Sequence, residues 1–279
     1  MDELHFSTAS LIAATVEGIL AVLLPIVIIV VWKIKTKAKL VPFWTGCLFF
    51  PLFALIIEST VAAVVSFIDA KTLSLFSNTY ILYLFAALMA GLFEETGRFV
   101  AFKTMMKKYN DRRDGVTYGI GHGGIESILL VGGSVCFTLA IALIVNAGAI
   151  DTFMESAPTE SREALTEQLR TMAETSPLMY LLGFVERISA VMVHISLSIL
   201  VFAGVKMKGK KWNYPLAIFL HFAIDCTVIL PNCLNVPMIL FEIIFFIVSL
   251  AMLISMIVYY KKLPQVLGDE ESAIPTVTA

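Results

Sequence analysis

Seven apolar stretches dominate this sequence, and each is long enough to cross a lipid bilayer as a helix. They run over residues 8–32, 41–66, 79–102, 116–148, 177–204, 213–231 and 237–260. A spanning helix requires roughly 20 apolar residues, and a chain with 58% hydrophobic and 15% charged residues lies far outside the composition of soluble domains. The sequence therefore predicts an all-α fold, a polytopic membrane helix bundle with seven transmembrane helices.

Lysine and arginine are concentrated after the first, third, fifth and seventh stretches, as in "KIKTKAK" and "KMKGKK". Because cytoplasmic loops retain basic residues, this distribution predicts an N-out/C-in topology. Residues 1–263 then form a single transmembrane domain, and residues 149–176 form an extracytoplasmic loop with a short amphipathic helix. Residues 264–279 are predicted to be a disordered cytoplasmic tail. The basic residues are accounted for by topology, so no nucleic-acid partner is expected.

Ionisable side chains interrupt the apolar stretches at a few positions. Charges inside a bilayer are costly, and they usually face the protein interior and mark a functional pathway. Three pairs are spaced four residues apart, so both members share one helix face. They are Glu94 and Arg98, His122 and Glu126, and His221 and Asp225. With a rise of about 1.5 Å per residue, these pairs, Glu95 and His194 fall in one slab in the cytoplasmic half of the bilayer.

Other features of these helices carry weaker signals. Arg187 shares a face with His194, and Glu186 precedes it. Glu58 and Glu242 are isolated, so we predict that they lie outside the site. The glycines of "YGIGHGG" allow a neighbouring backbone to come close, and they weaken the helix, which predicts a local break there.

Glutamates, histidines and an aspartate in a membrane cavity suit hydrolysis. A carboxylate can act as general base toward water, and imidazoles can stabilise an oxyanion. The alternative is one divalent metal ion, such as zinc, with another glutamate as base; its predicted ligands are Glu95, His122, His194 and His221. The residues alone leave both mechanisms open. Neither HExxH nor GxSxG occurs, so the sequence favours neither a zincin nor a serine hydrolase.

The succession "EETGR", "YGIGH" and "HFAID" resembles the three-part signature of the type II CAAX-protease and bacteriocin-processing superfamily of intramembrane proteases. "GHGGIES" and the additional His194 make the chain most similar to the YhfC branch. The resemblance implies that Glu94 or Glu95 activates water with His122, and that His221 and Asp225 form the other half of the site. The catalytic set is then Glu94, Glu95, Arg98, His122, His221 and Asp225, supported by Glu126, Glu186, Arg187 and His194. Arg98 follows the glutamates after two residues, where better-known members have three.

The resemblance implies an intramembrane endopeptidase that opens toward the cytoplasm and cuts a peptide bond near the cytoplasmic side of a bacterial plasma membrane. Its expected partners are membrane lipid and a peptide or membrane-anchored protein substrate. Two alternatives stay open. Intramembrane carboxylates and histidines also serve a proton-coupled or metal-ion transporter, although we find no inverted repeat. A non-catalytic membrane scaffold is the other alternative, since the Aph-type subunit of gamma-secretase resembles the same fold.

Overall fold

The computed structural model describes residues 4–68, 77–155 and 162–267, and this part of the chain is almost entirely helical. The polytopic helical bundle predicted from the sequence is confirmed. Its α-helices are α1 (Thr8–Thr36), α2 (Val41–Phe50), α3 (Ser59–Ile68), α4 (Thr79–Lys103), α5 (Arg112–Glu126), α6 (Gly133–Asn146), α7 (Ile150–Glu155), α8 (Arg162–Glu174), α9 (Pro177–Lys206), α10 (Asn213–Asp225), α11 (Leu230–Leu234) and α12 (Met238–Lys262).

Five helices are long and apolar enough to cross a membrane: Thr8–Thr36, Val41–Val65, Arg112–Asn146, Pro177–Lys206 and Met238–Lys262. The chain is therefore an integral membrane protein. The other two predicted stretches correspond to α4, which carries three charges near its middle, and to the shorter apolar helix Asn213–Ile229. That all seven cross the bilayer, with the N-terminus outside, stays a prediction.

Two of the long helices contain a π-helical segment. Pro51–Glu58 joins α2 to α3, and Ser127–Gly132 joins α5 to α6. Pro51 has no backbone N–H to donate to the preceding turn, which accounts for the change of helix type in the first case. The break predicted at the glycines of α5 is wrong in position, because α5 runs through them and the π-helical segment begins after Glu126.

The glycines of α5 instead permit close helix packing, as the sequence also predicts. A Cβ atom on Gly121 would lie 2.0 Å from the carbonyl oxygen of Phe43, and one on Gly119 would lie 2.7 Å from the Cα atom of Ile195. These distances are too short for any side chain. The backbones of α2 and α9 therefore lie directly against α5, which places α5 and His122 at the centre of the bundle.

The helix ends lie on two opposite faces. On the N-terminal face, the Phe6 N–H donates to the side chain of Asn146 at 2.9 Å. On the basic face, Arg113 donates to the carbonyl oxygen of Thr36 at 2.5 Å, at the junction of α1 and α5. The main hydrophobic core fills the space between the bundle centre and the basic face. It includes the buried residues Ala101, Phe102, Met106, Tyr118, Leu197, Val201 and Phe202.

The amphipathic helix predicted between residues 149 and 176 is present as α8. Its apolar stripe of Leu165, Leu169 and Met172 packs against Phe6 and Ile141 at the N-terminal face. α8 therefore covers the corner between α1 and α6. Residues 156–161 of this loop lie outside the described part of the chain, and its extracytoplasmic location stays a prediction.

The beginning of the C-terminal tail is ordered, contrary to the prediction of disorder from residue 264 onward. The Gln265 carbonyl oxygen accepts from the Arg112 N–H at 2.9 Å, and the Leu267 N–H donates to the Asn110 oxygen at 2.8 Å. Leu267 is buried. Apolar burial and backbone pairing thus hold residues 264–267 against the basic face, and residues 268–279 lie outside the described residues.

Candidate active site within the membrane

Helix α4 supplies two carboxylates and one guanidinium group to the bundle centre. The Arg98 Nη1 atom donates to Glu95 Oε1 at 2.5 Å, and Nη2 donates to His194 Nδ1 at 2.6 Å. The same Nη2 atom lies 4.0 Å from Glu94 Oε2. Glu95 and Arg98 are completely buried. Arg98 is thus the cation that joins both glutamates to a histidine of another helix, despite its altered spacing in the sequence.

Helix α5 supplies His122, which faces the first of these glutamates. His122 Nε2 lies 2.9 Å from Glu94 Oε2. The imidazole ring packs edge-on against Phe50, with ring centroids 5.2 Å apart, and its centroid is 5.0 Å from that of His194. Its Nδ1 atom is buried and has no hydrogen-bond partner among the described residues.

His194 of α9 is held in a single tautomer by its two neighbours. Nδ1 accepts from Arg98, which can only donate, so Nδ1 carries a lone pair. Nε2 then carries the proton and donates to a carboxylate oxygen of Glu126. Glu126 Oε1 accepts from Arg187 at 3.0 Å, and Arg187 is paired with Glu186. These contacts fix the ring of His194 from the side opposite Arg98.

His221 of α10 lies between two carboxylates. Nδ1 is 2.7 Å from Glu95 Oε1, and Nε2 is 3.4 Å from Asp225 Oδ2. A histidine can donate to two carboxylates only as imidazolium, so this ring suits proton donation better than metal binding. The Asp225 side chain is 32% exposed and forms one edge of the cluster.

All ten site residues predicted from the sequence are brought together in one connected cluster. Contacts run from Glu186 through Arg187, Glu126, His194, Arg98, Glu95 and His221 to Asp225, and Glu94 joins His122 to this chain. The i, i+4 spacing and the common depth in four helices correctly predicted this convergence. The catalytic role of each residue stays a prediction.

Three of these residues could hold a metal ion. One donor atom each from Glu94, His122 and His194 lies within 4.8 Å of the others. Two imidazoles and one carboxylate form a common ligand set of catalytic zinc sites. His194 Nδ1 lies 3.9 Å from Glu94 Oε2 and accepts from Arg98, so a cation bound there would replace the Arg98 hydrogen bond. The other ring nitrogen faces Glu126, which is the usual outer support of a metal-binding histidine. The residues therefore fit a divalent cation.

The donor group differs from the predicted ligand set at two positions. The sequence predicts Glu95 and His221 as ligands beside His122 and His194, but Glu95 and His221 bind each other at 2.7 Å. Glu95 Oε1 also accepts from Arg98. Glu94 takes the place of Glu95 in the donor group.

Three further carboxylates lie near the cluster. Glu17 of α1 was overlooked in the sequence, although it is a lone charge in the apolar run "AATVEGILAVLL". Glu17 is buried against Gly183 and interacts electrostatically with Arg187. Glu58 and Glu242, predicted to lie outside the site, form no hydrogen bond or ion pair with the cluster among the described residues, and only longer-range charge interactions connect them to it. Their electrostatic partners include Asp225 and His221 for Glu58, and Glu186 and Arg187 for Glu242.

Comparison with known proteins identifies the family to which this sequence is related. The sequence model of a family described as "YhfC intramembrane metalloprotease" matches residues 20–249. The chain is also 32% identical over 236 residues to the "Uncharacterized membrane protein YhfC" of Bacillus subtilis (strain 168), covering 85% of this chain and 86% of that protein. No solved structure matches the chain. Since the family model spans Glu94, His122, His194 and His221 together, this chain belongs to the YhfC intramembrane metalloprotease family.

Proposed function

We propose that this protein is an intramembrane endopeptidase that hydrolyses a peptide bond at the depth of Glu94 and His122. A divalent cation, zinc by its ligand set, would be held by Glu94, His122 and His194. The observation that carries the proposal is this buried donor group beside a second carboxylate with a free oxygen. Glu95 Oε2 is buried and has no hydrogen-bond partner among the described residues.

The charges of the cluster are compatible with a bound dication. Five carboxylates, counted in ionised form, face two guanidinium groups and the imidazolium of His221, which leaves an excess of two negative charges. The carboxylates belong to Glu94, Glu95, Glu126, Glu186 and Asp225, and the guanidinium groups to Arg98 and Arg187. Uncompensated charge inside a membrane is costly. A divalent cation at the donor group would balance the excess, as would protons held by the buried carboxylates.

The described residues fit the steps of peptide hydrolysis. When bound, the cation supplies Lewis acidity to the carbonyl oxygen of the substrate. Arg98 and His221 both donate to Glu95 Oε1, so Oε2 is left to accept a proton from the attacking water as general base. His221, stabilised as imidazolium by Asp225, gives its Nε2 proton to the leaving amine. After product release Glu95 loses the proton of Oε2 to water, and water returns a proton to His221 Nε2.

The remaining residues position this machinery. A carboxylate oxygen of Glu126 faces the Nε2–H group of His194, and Arg187 holds Glu126 in place. We also propose that the membrane is a bacterial plasma membrane with the basic face in the cytoplasm. Membrane lipid surrounds the bundle, and the substrate is a peptide or a membrane-anchored protein.

Peptide cleavage in reconstituted vesicles tests the proposed function. The purified chain is incubated with a pool of synthetic membrane-spanning peptides of about 25 residues, and new termini are identified by mass spectrometry. We expect cuts inside the membrane-spanning segments, loss of cleavage with a zinc chelator, and recovery when zinc is restored. Saturable zinc or proton flux across the same vesicles without cleavage would instead support the transporter, and neither activity would support the scaffold.

A further inference from the structure

On the N-terminal side of the cluster, the described helices carry few buried side chains. In α9, no residue from Pro177 to Ile188 is buried, whereas nearly every residue from Val191 to Ala203 is. In α4, the four consecutive residues 80–83 are each at least 39% exposed. Four consecutive helical residues point in all directions around the axis, because a turn contains 3.6 residues. This end of α4 is therefore only loosely covered by the described part of the chain, next to Ile229.

Two further helices show the same change at the same level. In α10 and its extension Cys226–Ile229, the last buried residue is His221. In the helix formed by α2, its π-helical segment and α3, the last buried residue among the described side chains is Ala54. Four helices that carry or adjoin the cluster thus lose buried side chains as they run toward the N-terminal face.

The opposite side of the cluster is filled. Phe102, Tyr118 and Phe202 pack edge to face there, with ring centroids 4.7 and 5.1 Å apart, and all three are buried. Leu263 and Leu267 extend this core to the basic face. Arg112 fastens that segment by donating to the Leu263 carbonyl oxygen at 2.9 Å. A polypeptide cannot pass this layer without unpacking it.

Carboxylates lie along the uncovered side. Asp225 contacts His221 at 3.4 Å and is part-exposed, so it connects the cluster to this space. Glu58 of the π-helical segment is part-exposed and interacts electrostatically with Asp225. The Glu186 side chain is 27% exposed and interacts electrostatically with Asp225 as well. Arg187 is paired to Glu186 and Glu126, so the carboxylates of Asp225 and Glu58 have no guanidinium partner among the described residues.

We propose that the substrate reaches the cluster from the N-terminal face, through a passage bounded by α3, α4, α9 and α10. Between the carboxylates and the N-terminal face the walls are apolar, as at Ile81 and Leu84. The occupant is therefore an apolar, membrane-inserted polypeptide segment, and the carboxylates of Asp225 and Glu58 favour a basic residue on it. The identity of the occupant rests on the proposed function. The direction reverses the sequence-based expectation that the site opens toward the cytoplasm.

The native cysteines provide a test that needs no enzymatic activity. Both Cys226 and Cys47 are part-exposed: Cys226 follows Asp225, and Cys47 of α2 donates to the Gly121 carbonyl oxygen at 3.4 Å. A membrane-impermeant cationic thiol reagent is added to one face of sealed vesicles at a time, and modified cysteines are quantified by mass spectrometry. Exposed Cys233 reports the N-terminal face, and a Lys211→Cys variant reports the basic face.

We expect Cys226 to react from the N-terminal face only, and Cys47 to react from neither face. Modification of Cys226 from the basic face, or from neither face while Cys233 reacts, would overturn the passage. Failure of the cleavage assay would leave this labelling pattern unchanged, so the two proposals fail separately.

The effect of the Asp225 and Glu58 carboxylates on the passage is tested by comparing thiol reagents of opposite charge. The carboxylates concentrate cations in the passage, so a cationic reagent should modify Cys226 roughly ten-fold faster than an anionic one of the same size. Glu58→Gln should reduce that preference, whereas Glu167→Gln, an exposed glutamate of α8, should leave it unchanged. Equal rates for both reagents in the wild type would contradict an acidic passage.

Discussion

Replacing Glu95 with glutamine is expected to lower the rate of peptide cleavage by roughly 10²- to 10⁴-fold, the range that a general base contributes. Glutamine has nearly the same shape and can still accept from Arg98 and His221 through its amide oxygen. It cannot take a proton from water. Because Glu95 lies outside the donor group of Glu94, His122 and His194, the variant should retain its bound metal.

Glu242→Gln is the matched control, because Glu242 is also a buried carboxylate of a membrane helix but makes no contact with the three histidines in the described structure. Both variants are compared with the wild type by the initial rate of peptide cleavage and by zinc content. A Glu95→Gln protein with wild-type activity would remove Glu95 as the base. Loss of zinc from that variant would show that Glu95, and not Glu94, is a metal ligand.

Replacing Arg98 with leucine is expected to reduce the free energy of unfolding by about 3–5 kcal/mol, the usual consequence of removing one member of a buried ion pair. Glu95 would be left completely buried without the guanidinium group that now lies 2.5 Å from Oε1. His194 Nδ1 would lose its donor as well. The measurement is reversible unfolding in mixed detergent micelles, followed by the loss of helical circular dichroism.

An exposed ion pair of the same spacing provides the control. Arg170 and Glu167 of α8 are 3.6 Å apart and mostly exposed, so Arg170→Leu should change the free energy of unfolding by less than about 1 kcal/mol. The double variant Glu95→Leu, Arg98→Leu should recover part of the stability lost in Arg98→Leu, because it leaves no unpaired carboxylate. Equal losses from Arg98→Leu and Arg170→Leu would contradict a buried network that depends on Arg98.

The convergence of the site was predictable because the sequence pattern and the membrane restrict the possibilities together. A charge in an apolar helix must face protein or water, and i, i+4 spacing fixes which residues share a face. Glu94, His122 and His221 could therefore be assigned to one cavity before any contact was known. Glu17 escaped notice because a single carboxylate with no partner on its own helix has no such spacing signal.

The choice between Glu94 and Glu95 as metal ligand was not predictable. Adjacent residues differ by about 100° around a helix, so the choice depends on the rotation of α4. That rotation is set by close contacts, since a Cβ atom on Gly91 would lie 3.0 Å from the Ile218 oxygen and one on Gly97 would lie 2.8 Å from the Phe53 ring. These contacts join residues far apart in the sequence, and hydrophobic periodicity carries no information about them.

The N-terminal passage that we propose was equally hidden in the sequence. The apolar stretches extend with similar hydropathy on both sides of the cluster, so composition does not distinguish the packed half of α9 from its exposed half. The difference arises from aromatic packing around Phe102 and Phe202 and from the docking of Leu267. Both depend on tertiary contacts that have no local sequence signature.

Metal content of the purified protein, measured by elemental mass spectrometry, is the most direct test of whether Glu94, His122 and His194 bind a metal ion. We expect about one zinc ion per chain in the wild type, held by one carboxylate and two imidazoles, and its loss from a Glu94→Ala, His122→Ala double variant that still folds. Glu242→Gln should keep the metal. A folded, peptide-cleaving wild type without metal, or a double variant that retains it, would contradict the assignment of Glu94, His122 and His194 as the metal site.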